Sequence, residues 1–352
     1  MALVPDDVPR LTKIGVSVRV EVGAGFQANF PDDAYSSAGA NIVPASQLAQ
    51  TTAIAVVARP PSESEIQALP EASILIGFLD PLRNRELLAQ LANHRVTSFA
   101  LESIPRITRA QSMDALSSMS TIAGYRAVLL AAEASKRMFP MLITAAGTQP
   151  PCRVLVLGAG VAGLQALATA KRLGAMTFGF DTRPEVREQV QSVGATFVEM
   201  PPELQVEGTE GGYARDVGEE FLRREQEAIG EHLATVDAII TTALIPGKPA
   251  PILISEEMIQ RMKPGAVIVD LAAEQGGNCE LTKAGETVVA HGVTIVGPRN
   301  LPAQAATQAS QMLSRNVSSF VSLLVQEGNL HLDFDDEIIQ GACVTHDGQI
   351  LK

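Results

Sequence analysis

The sequence predicts an α/β protein of two doubly wound domains, each built around a parallel sheet, and three observations predict it. The chain has 352 residues, long enough for two cores rather than one. Short runs rich in Val, Ile, Leu and Phe alternate with stretches whose apolar residues fall at helical spacing. One of those runs, 154–157, enters a glycine-rich turn that opens a helix.

Taken in order, Val16, Val18, Val20 and Val22 alternate with Ser17, Arg19 and Glu21. That is the period of a half-buried strand, which Gly23 and Gly25 end. Further strand-like runs fall at 53–58, 74–79 and 97–101. Residues 106–120 are polar and irregular. Residues 122–139 carry apolar side chains at helical spacing and lead into the second domain. From Pro150 onward, strands are expected at 153–157, 176–180, 195–199, 237–241, 266–270 and 294–296. The charged stretch 207–224, with Gly208, Gly211 and Gly212, lies in a long connection; a mobile functional loop and a solvated helix with a frayed start both fit it. After Pro302 an Ala/Ser/Leu-rich helix runs to about Glu327 and carries the chain back. The tail is acidic and then turn-rich. The expected domains are 1–120 with 316–352, and 121–315.

Composition narrows the function. Hydrophobic residues make up 46% of the chain with no Trp, so Ala, Val, Leu and Ile fill the cores. A net charge of −12 argues against a nucleic-acid partner, since phosphates require a basic surface. Three widely spaced cysteines (152, 279 and 343) point to reduced thiols in a cytoplasmic setting. The five histidines show no metal spacing, so no metal is expected. The N-terminus lacks a basic and apolar leader, and no apolar run approaches the ~18 residues that cross a bilayer. A soluble chain is therefore expected, borrowing any membrane role from a partner. There is no nucleophile elbow, Cys/His pair or P-loop, which removes hydrolase and kinase readings.

The glycine-rich turn is the strongest motif. Strand residues 154–157 run into Gly158, Gly160 and Gly163, and the helical pattern of 161–173 follows. Gly158 permits the turn, Gly160 lets backbone approach a pyrophosphate, and Gly163 lets helix and strand pack closely, with Val161 and Ala162 offering N–H groups between them. Asp181 ends the next strand-like run at the expected distance. There a carboxylate can accept both adenosine ribose hydroxyls and repel a 2′-phosphate, which favours NAD(H) over NADP(H). Thr182 and Arg183 follow it; a cation there can stack near adenine or tolerate a phosphate.

Hydride transfer needs two carbons held in near-attack geometry, not a nucleophile. Arg106, Gln111, Asp114 and Ser117 fall within one interdomain segment. Gln and Ser can pair with a carboxamide while Arg and Asp hold each other; a helix cap with surface charges fits the same residues. Thr242, Ala243 and Leu244 follow one predicted strand end, and Glu274 and Asn278 follow the next, where they could face the nicotinamide side; ordinary Gly/Pro-rich loops fit as well.

At this point the motifs coincide with a family. The chain resembles the NAD(H)-binding domain I of the alpha subunit of proton-translocating NAD(P) transhydrogenases, relatives of alanine dehydrogenase. Arg106-Ile-Thr-Arg-Ala-Gln-Ser-Met-Asp, Ala123-Gly-Tyr-Arg-Ala-Val, Thr144-Ala-Ala-Gly-Thr, Gly160-Val-Ala-Gly-Leu-Gln-Ala, Gly211-Gly-Tyr-Ala, Thr241-Thr-Ala-Leu-Ile-Pro-Gly-Lys-Pro-Ala-Pro and Asp270-Leu-Ala-Ala-Glu-Gln-Gly-Gly-Asn-Cys carry the resemblance. It implies two Rossmann-like domains with NAD(H) in a cleft between them, and a homodimer. It implies direct hydride transfer to NADP(H) held on a partner domain, and a membrane-spanning partner that couples transfer to proton translocation at the cytoplasmic face of the inner membrane. The family's loop residues map onto Arg106, Gln111, Asp114 and Ser117, its ribose-binding acid onto Asp181, and its mobile-loop tyrosine onto Tyr213. The chain departs from the family in starting after the usual first strand, and in having Val217 where relatives carry a mobile-loop methionine. Two other readings compete: a non-catalytic NAD-binding module, and an alanine dehydrogenase. The second needs a lysine and a histidine where this chain has Val57-Ala-Arg-Pro-Pro and Gly77-Phe-Leu-Asp-Pro.

Overall fold

A computed structural model describes residues 1–48, 52–199 and 218–352. They form two compact units, 1–119 with 305–352, and 120–304.

The second unit holds a seven-stranded sheet. Its order is Thr196–Phe197, Met176–Phe180, Arg153–Leu157, Ala238–Thr241, Val267–Asp270, Val293–Val296 and Thr287–Ala290, all parallel but the last. Successive residues of a strand point to opposite faces. Val154, Val156, Ala238, Ile240, Val267 and Val269 thus build one core, and Leu155, Leu157, Ile239 and Ile268 build the other. Both faces being covered explains the near-continuous apolar runs of these strands. The antiparallel edge Thr287–Ala290 was not expected; it is a short strand with no fully buried residue.

Helix Val161–Arg172 buries Gly163, Ala166, Leu167 and Ala170, a stripe at helical spacing, and Lys171 and Arg172 oppose the dipole at its end. Gly174 then takes φ +90° to stop it.

The first unit's sheet runs Gln349–Ile350, Cys343–His346, Thr97–Ala100, Ile74–Gly77 and Ile54–Val56. The last three are parallel, while the two tail strands are antiparallel. The tail expected to be turn-rich therefore supplies a buried strand, with Val344 fully enclosed and Ser98 hydrogen-bonded to Thr345 at 2.6 Å. The strand expected over 16–22 shrinks to Arg19–Glu21, which among the described residues pairs only with Asn41–Val43.

Two expectations are corrected. The return to the first unit lies at Ala305, not at 316. A break at 316 would cut helix Ala306–Leu324, whose Leu313, Val317, Phe320 and Leu324 all lie in the first unit's core. Phe320 meets Phe99 edge-on at 5.3 Å, and Ser314 donates to Asp7 at 2.6 Å. Second, helix Ala115–Ala134 is long and apolar enough to cross a membrane by length and composition, with mean hydropathy 1.2. Its serines and threonine hide that in the sequence, and Ala127, Val128 and Ala131 are fully buried in the second unit's core.

Candidate functional site

Strands Arg153–Leu157 and Ala238–Thr241 are neighbours at the point where strand order reverses. Ligands of open α/β sheets bind outside the carboxyl ends of strands at such a point. Gly158 follows the first strand and Thr242 the second. Thr242 donates its N–H to the Leu157 carbonyl at 2.9 Å and its hydroxyl to the Gly158 carbonyl at 3.0 Å. Gly158 sits at φ +95°, and a Cβ there would lie 2.5 Å from the Thr242 hydroxyl oxygen. Only glycine meets both conditions.

The other two glycines face opposite situations. A Cβ on Gly163 would overlap the Gly158 carbonyl, so helix and strand are in contact there. A Cβ on Gly160 would meet nothing within 4 Å. Gly160 is the N-cap of helix Val161–Arg172, has extended backbone and no side-chain cap, and stands before the N–H groups of Val161, Ala162 and Gly163. Open space before uncapped donors at a helix N-terminus fits an anionic ligand such as a pyrophosphate. Gly124, quoted in the sequence motifs without a role, proves to matter here. A Cβ on it would overlap the Ala162 carbonyl, so helix Ala115–Ala134 supports the turn from behind. A glycine inside an apolar helix costs about 1 kcal/mol and was the available signal.

Asp181 lies at the end of Met176–Phe180, 7% exposed. Its Oδ2 accepts the Ala159 N–H at 2.7 Å, which ties it to the glycine turn. Its Oδ1 accepts the Arg183 N–H at 2.9 Å and Nε–H at 2.8 Å, and a terminal guanidinium nitrogen donates to Oδ2 at 2.8 Å. The Asp181 hydrogen bond and then its charge raise the Arg183 pKa above its ordinary value. Thr182 between them is half-buried. The acid expected to receive a ribose is therefore paired with the cation expected near adenine.

A residue that sequence reasoning missed stands beside this pair. Glu225, on helix Glu219–Leu233, is 7% exposed. Burial, and then the Asp181 charge, push its carboxyl up to about 7. The signal was present: Leu222, Glu225, Ile229 and Leu233 share one helical stripe, and a carboxyl interrupts it.

Two loops complete the sheet's carboxyl end. Ala243 and Leu244 are half-buried, with Ala243 held on both sides by Asn278. The Asn278 amide accepts the Ala243 N–H at 2.9 Å and donates to the Ala243 and Pro251 carbonyls at 2.9 Å each. Asn278 is 0% exposed, so the expectation that it faces a nicotinamide is corrected: its hydrogen bonds are spent on the loop. Asp270, also 0% exposed, organises the same region by accepting from Thr241, Ala272, Asn278, Cys279 and Thr282. Glu274 lies exposed on the turn Ala273–Gln275 and accepts the Asn300 N–H at 3.1 Å.

In the first unit, Gln111 lies exposed on the turn Thr108–Met113. Asp114 caps the helix that follows, accepting the Ser117 N–H at 2.8 Å and its hydroxyl at 2.6 Å. The cap reading of these residues is thus realised for Asp114 and Ser117. Arg106 is exposed just before that turn. Beyond the three parallel strands lie Val57 to Pro60, Phe78 to Pro81 and Leu101 to Ile104, none of them His or Lys. Tyr213 and Val217 fall outside the described residues.

Two family models match the chain: alanine dehydrogenase/PNT, N-terminal domain, over residues 1–123, and alanine dehydrogenase/PNT, C-terminal domain, over residues 127–352. The chain is 47% identical over 360 residues to the first portion of NAD(P) transhydrogenase subunit alpha from Rhodospirillum rubrum, covering 100% of this chain and 94% of that one. It superposes on a transhydrogenase from Sinorhizobium meliloti with TM-score 0.87 at 40% identity, over 99% of this chain and 94% of that one. A solved L-alanine dehydrogenase is more distant, with TM-score 0.82 and 26% identity, over 99% and 92%.

Proposed function

The chain belongs to the alanine dehydrogenase/PNT family, and on that premise we propose that it is the NAD(H)-binding subunit of a proton-translocating NAD(P) transhydrogenase. In this reading a hydride passes directly between NADH held here and NADP+ held on a partner domain. The dinucleotide, when bound, supplies the hydride and takes it back. This chain's residues bind, orient and exclude water.

Gly158, Gly160 and Gly163 with Val161 and Ala162 receive the pyrophosphate. Asp181, Thr182 and Arg183 take the adenosine side. Thr242, Ala243 and Leu244 line the carboxyl end of the sheet beside the glycine turn, with Asn278 acting through Ala243 and Glu274 on the next loop. Arg106, Gln111, Asp114 and Ser117 orient the nicotinamide, and Tyr213 belongs to a segment that closes over it. A membrane-spanning partner carries the proton step, which places the subunit at the cytoplasmic face of the inner membrane. A homodimer is part of the proposal: Met138, Met141 and Ile143 are exposed around the hairpin Leu142–Thr144 and Gly147–Gln149.

The observation that carries the reading is the open space before Gly160 at the reversal of strand order. Titrating the purified chain with NADH and NADPH, read by dihydronicotinamide fluorescence, tests it. Saturable NADH binding is expected, with weaker NADPH binding; no binding of either would overturn it. With pyruvate, ammonia and NADH no turnover is expected, because neither Lys nor His stands beyond the first unit's parallel strands.

A further inference from the structure

Among the described residues, Glu225 is the one buried acid beside the adenosine side of the site that the proposed function leaves unused. It lies on a helix whose Phe221, Leu222, Ile229 and Leu233 pack with Phe178 and Phe180, the strand residues leading into Asp181. The charged residues of the outer helical face pair with one another: Arg223 with Glu220 and Glu227, and Arg224 with Glu220. Gln226, next to Glu225, donates to the Ile252 carbonyl at 2.8 Å. Among the described residues no hydrogen bond or ion pair reaches the Glu225 carboxyl.

Among the described residues, the charged groups on the elements packed against it are few. After the strand come Asp181, Arg183 and Glu185, and among the described residues Asp181 is the one whose charge acts on Glu225. Beyond Val198, Glu199 pairs with Arg187. On the neighbouring helix Glu256–Ile259, Glu256 bonds His291 and Glu257 bonds Arg261. Arg183 is the cation that closes on Asp181, so a carboxylate at 225 adds a second negative charge beside one already paired.

Resting on the dinucleotide reading above, we propose that Glu225 is a specificity-determining residue: its carboxylate, added to that of Asp181, excludes the 2′-phosphate of NADP(H). An ordinary NAD site relies on one acid at the strand end. Here Asp181 is already engaged by Arg183, a cation able to welcome a phosphate, and the second acid restores the discrimination. A proton on Glu225 removes half of the carboxylate pair, so discrimination weakens as pH falls through neutrality. Above it, two carboxylates that are each 7% exposed confront a phosphate dianion, and their repulsion is less screened than in water.

The test measures dissociation constants for NADH and NADPH by fluorescence at pH 5.5, 7 and 8.5, in the full chain and in Glu225→Gln. At pH 8.5 the ratio of NADPH to NADH dissociation constants should fall about tenfold in the variant. At pH 5.5 the two proteins should converge, and using the ratio within each protein together with this comparison cancels the phosphate's own titration. Equal ratios at pH 8.5 in the two proteins would overturn the proposal while leaving NADH binding, and the dinucleotide reading, intact. Wild-type protein that binds neither nucleotide would instead overturn that reading and this one with it. Should Glu225→Gln fail to fold, Glu225→Met, of similar length, reads the same ratio.

Discussion

Asp181 and Arg183, two residues apart in sequence, form a buried pair in which one guanidinium grips both carboxylate oxygens at 2.8 Å. The Ala159 N–H fills a further acceptor position at 2.7 Å. Replacing Asp181 with Ala takes from Arg183 the carboxylate it grips, in a site where each partner is less than 10% exposed. Breaking such a pair costs about 3 kcal/mol. Denaturant unfolding of Asp181→Ala should show a loss of that order, and NADH affinity should fall by more than tenfold. Unchanged stability would mean that Arg183 finds another anion.

The three glycines separate stability from binding. Gly163→Ala forces a methyl group into the Gly158 carbonyl, so helix and strand must part, and both thermal stability and NADH binding should drop. Gly160→Ala places its methyl group in open space at an ordinary backbone angle, φ −74°. Its melting temperature should stay within a degree or two of wild type while NADH binding is lost, since the methyl group occupies the phosphate's approach. Equal effects of the two substitutions on melting would contradict this assignment.

What the sequence makes legible depends on where each signal lives. The glycine turn and Asp181 are legible because strand, turn, helix and acid are all local in sequence, and strands Arg153–Leu157 and Met176–Phe180 fall where their apolar runs place them. Asn278 misleads because its amide is spent on Ala243 and Pro251, contacts 35 and 27 residues away that no spacing reveals. Glu225 escapes notice because it looks like one more charge in a charged helix. Its one distinguishing mark is its place in the apolar stripe of Leu222, Ile229 and Leu233. Strand Cys343–His346 hides in a polar tail because its partner, Thr97–Ala100, lies about 250 residues earlier.

Asn278→Ala should destabilise the chain by about 2–4 kcal/mol, because it leaves the Ala243 N–H and two carbonyls without their amide partner. Chemical denaturation measures it. A cost under 0.5 kcal/mol would show that water replaces the amide.

Glu225 also makes stability fall with pH. Its folded carboxyl titrates near 7 against an ordinary value of 4.5, so between those values the native chain holds a proton that the unfolded chain releases. The raised acid therefore costs nothing below about pH 4.5, and its penalty grows as pH rises to 7. It levels off above that, at up to about 3 kcal/mol. Glu225→Gln should be more stable than wild type at pH 8 and equal to it near pH 4.5. Parallel stability curves for the two proteins would refute the burial of an ionising group.

The most direct measurement is stopped-flow hydride transfer from NADH on this chain to an NADP+ analogue on its partner domain, in wild type and Gln111→Asn. We expect rapid transfer in wild type, and in the variant a slower rate with NADH affinity nearly intact, because Gln111 orients the ring rather than holding the dinucleotide. Failure of wild type to transfer any hydride, with both nucleotides bound, would contradict the assignment of this chain as one half of a two-nucleotide reaction.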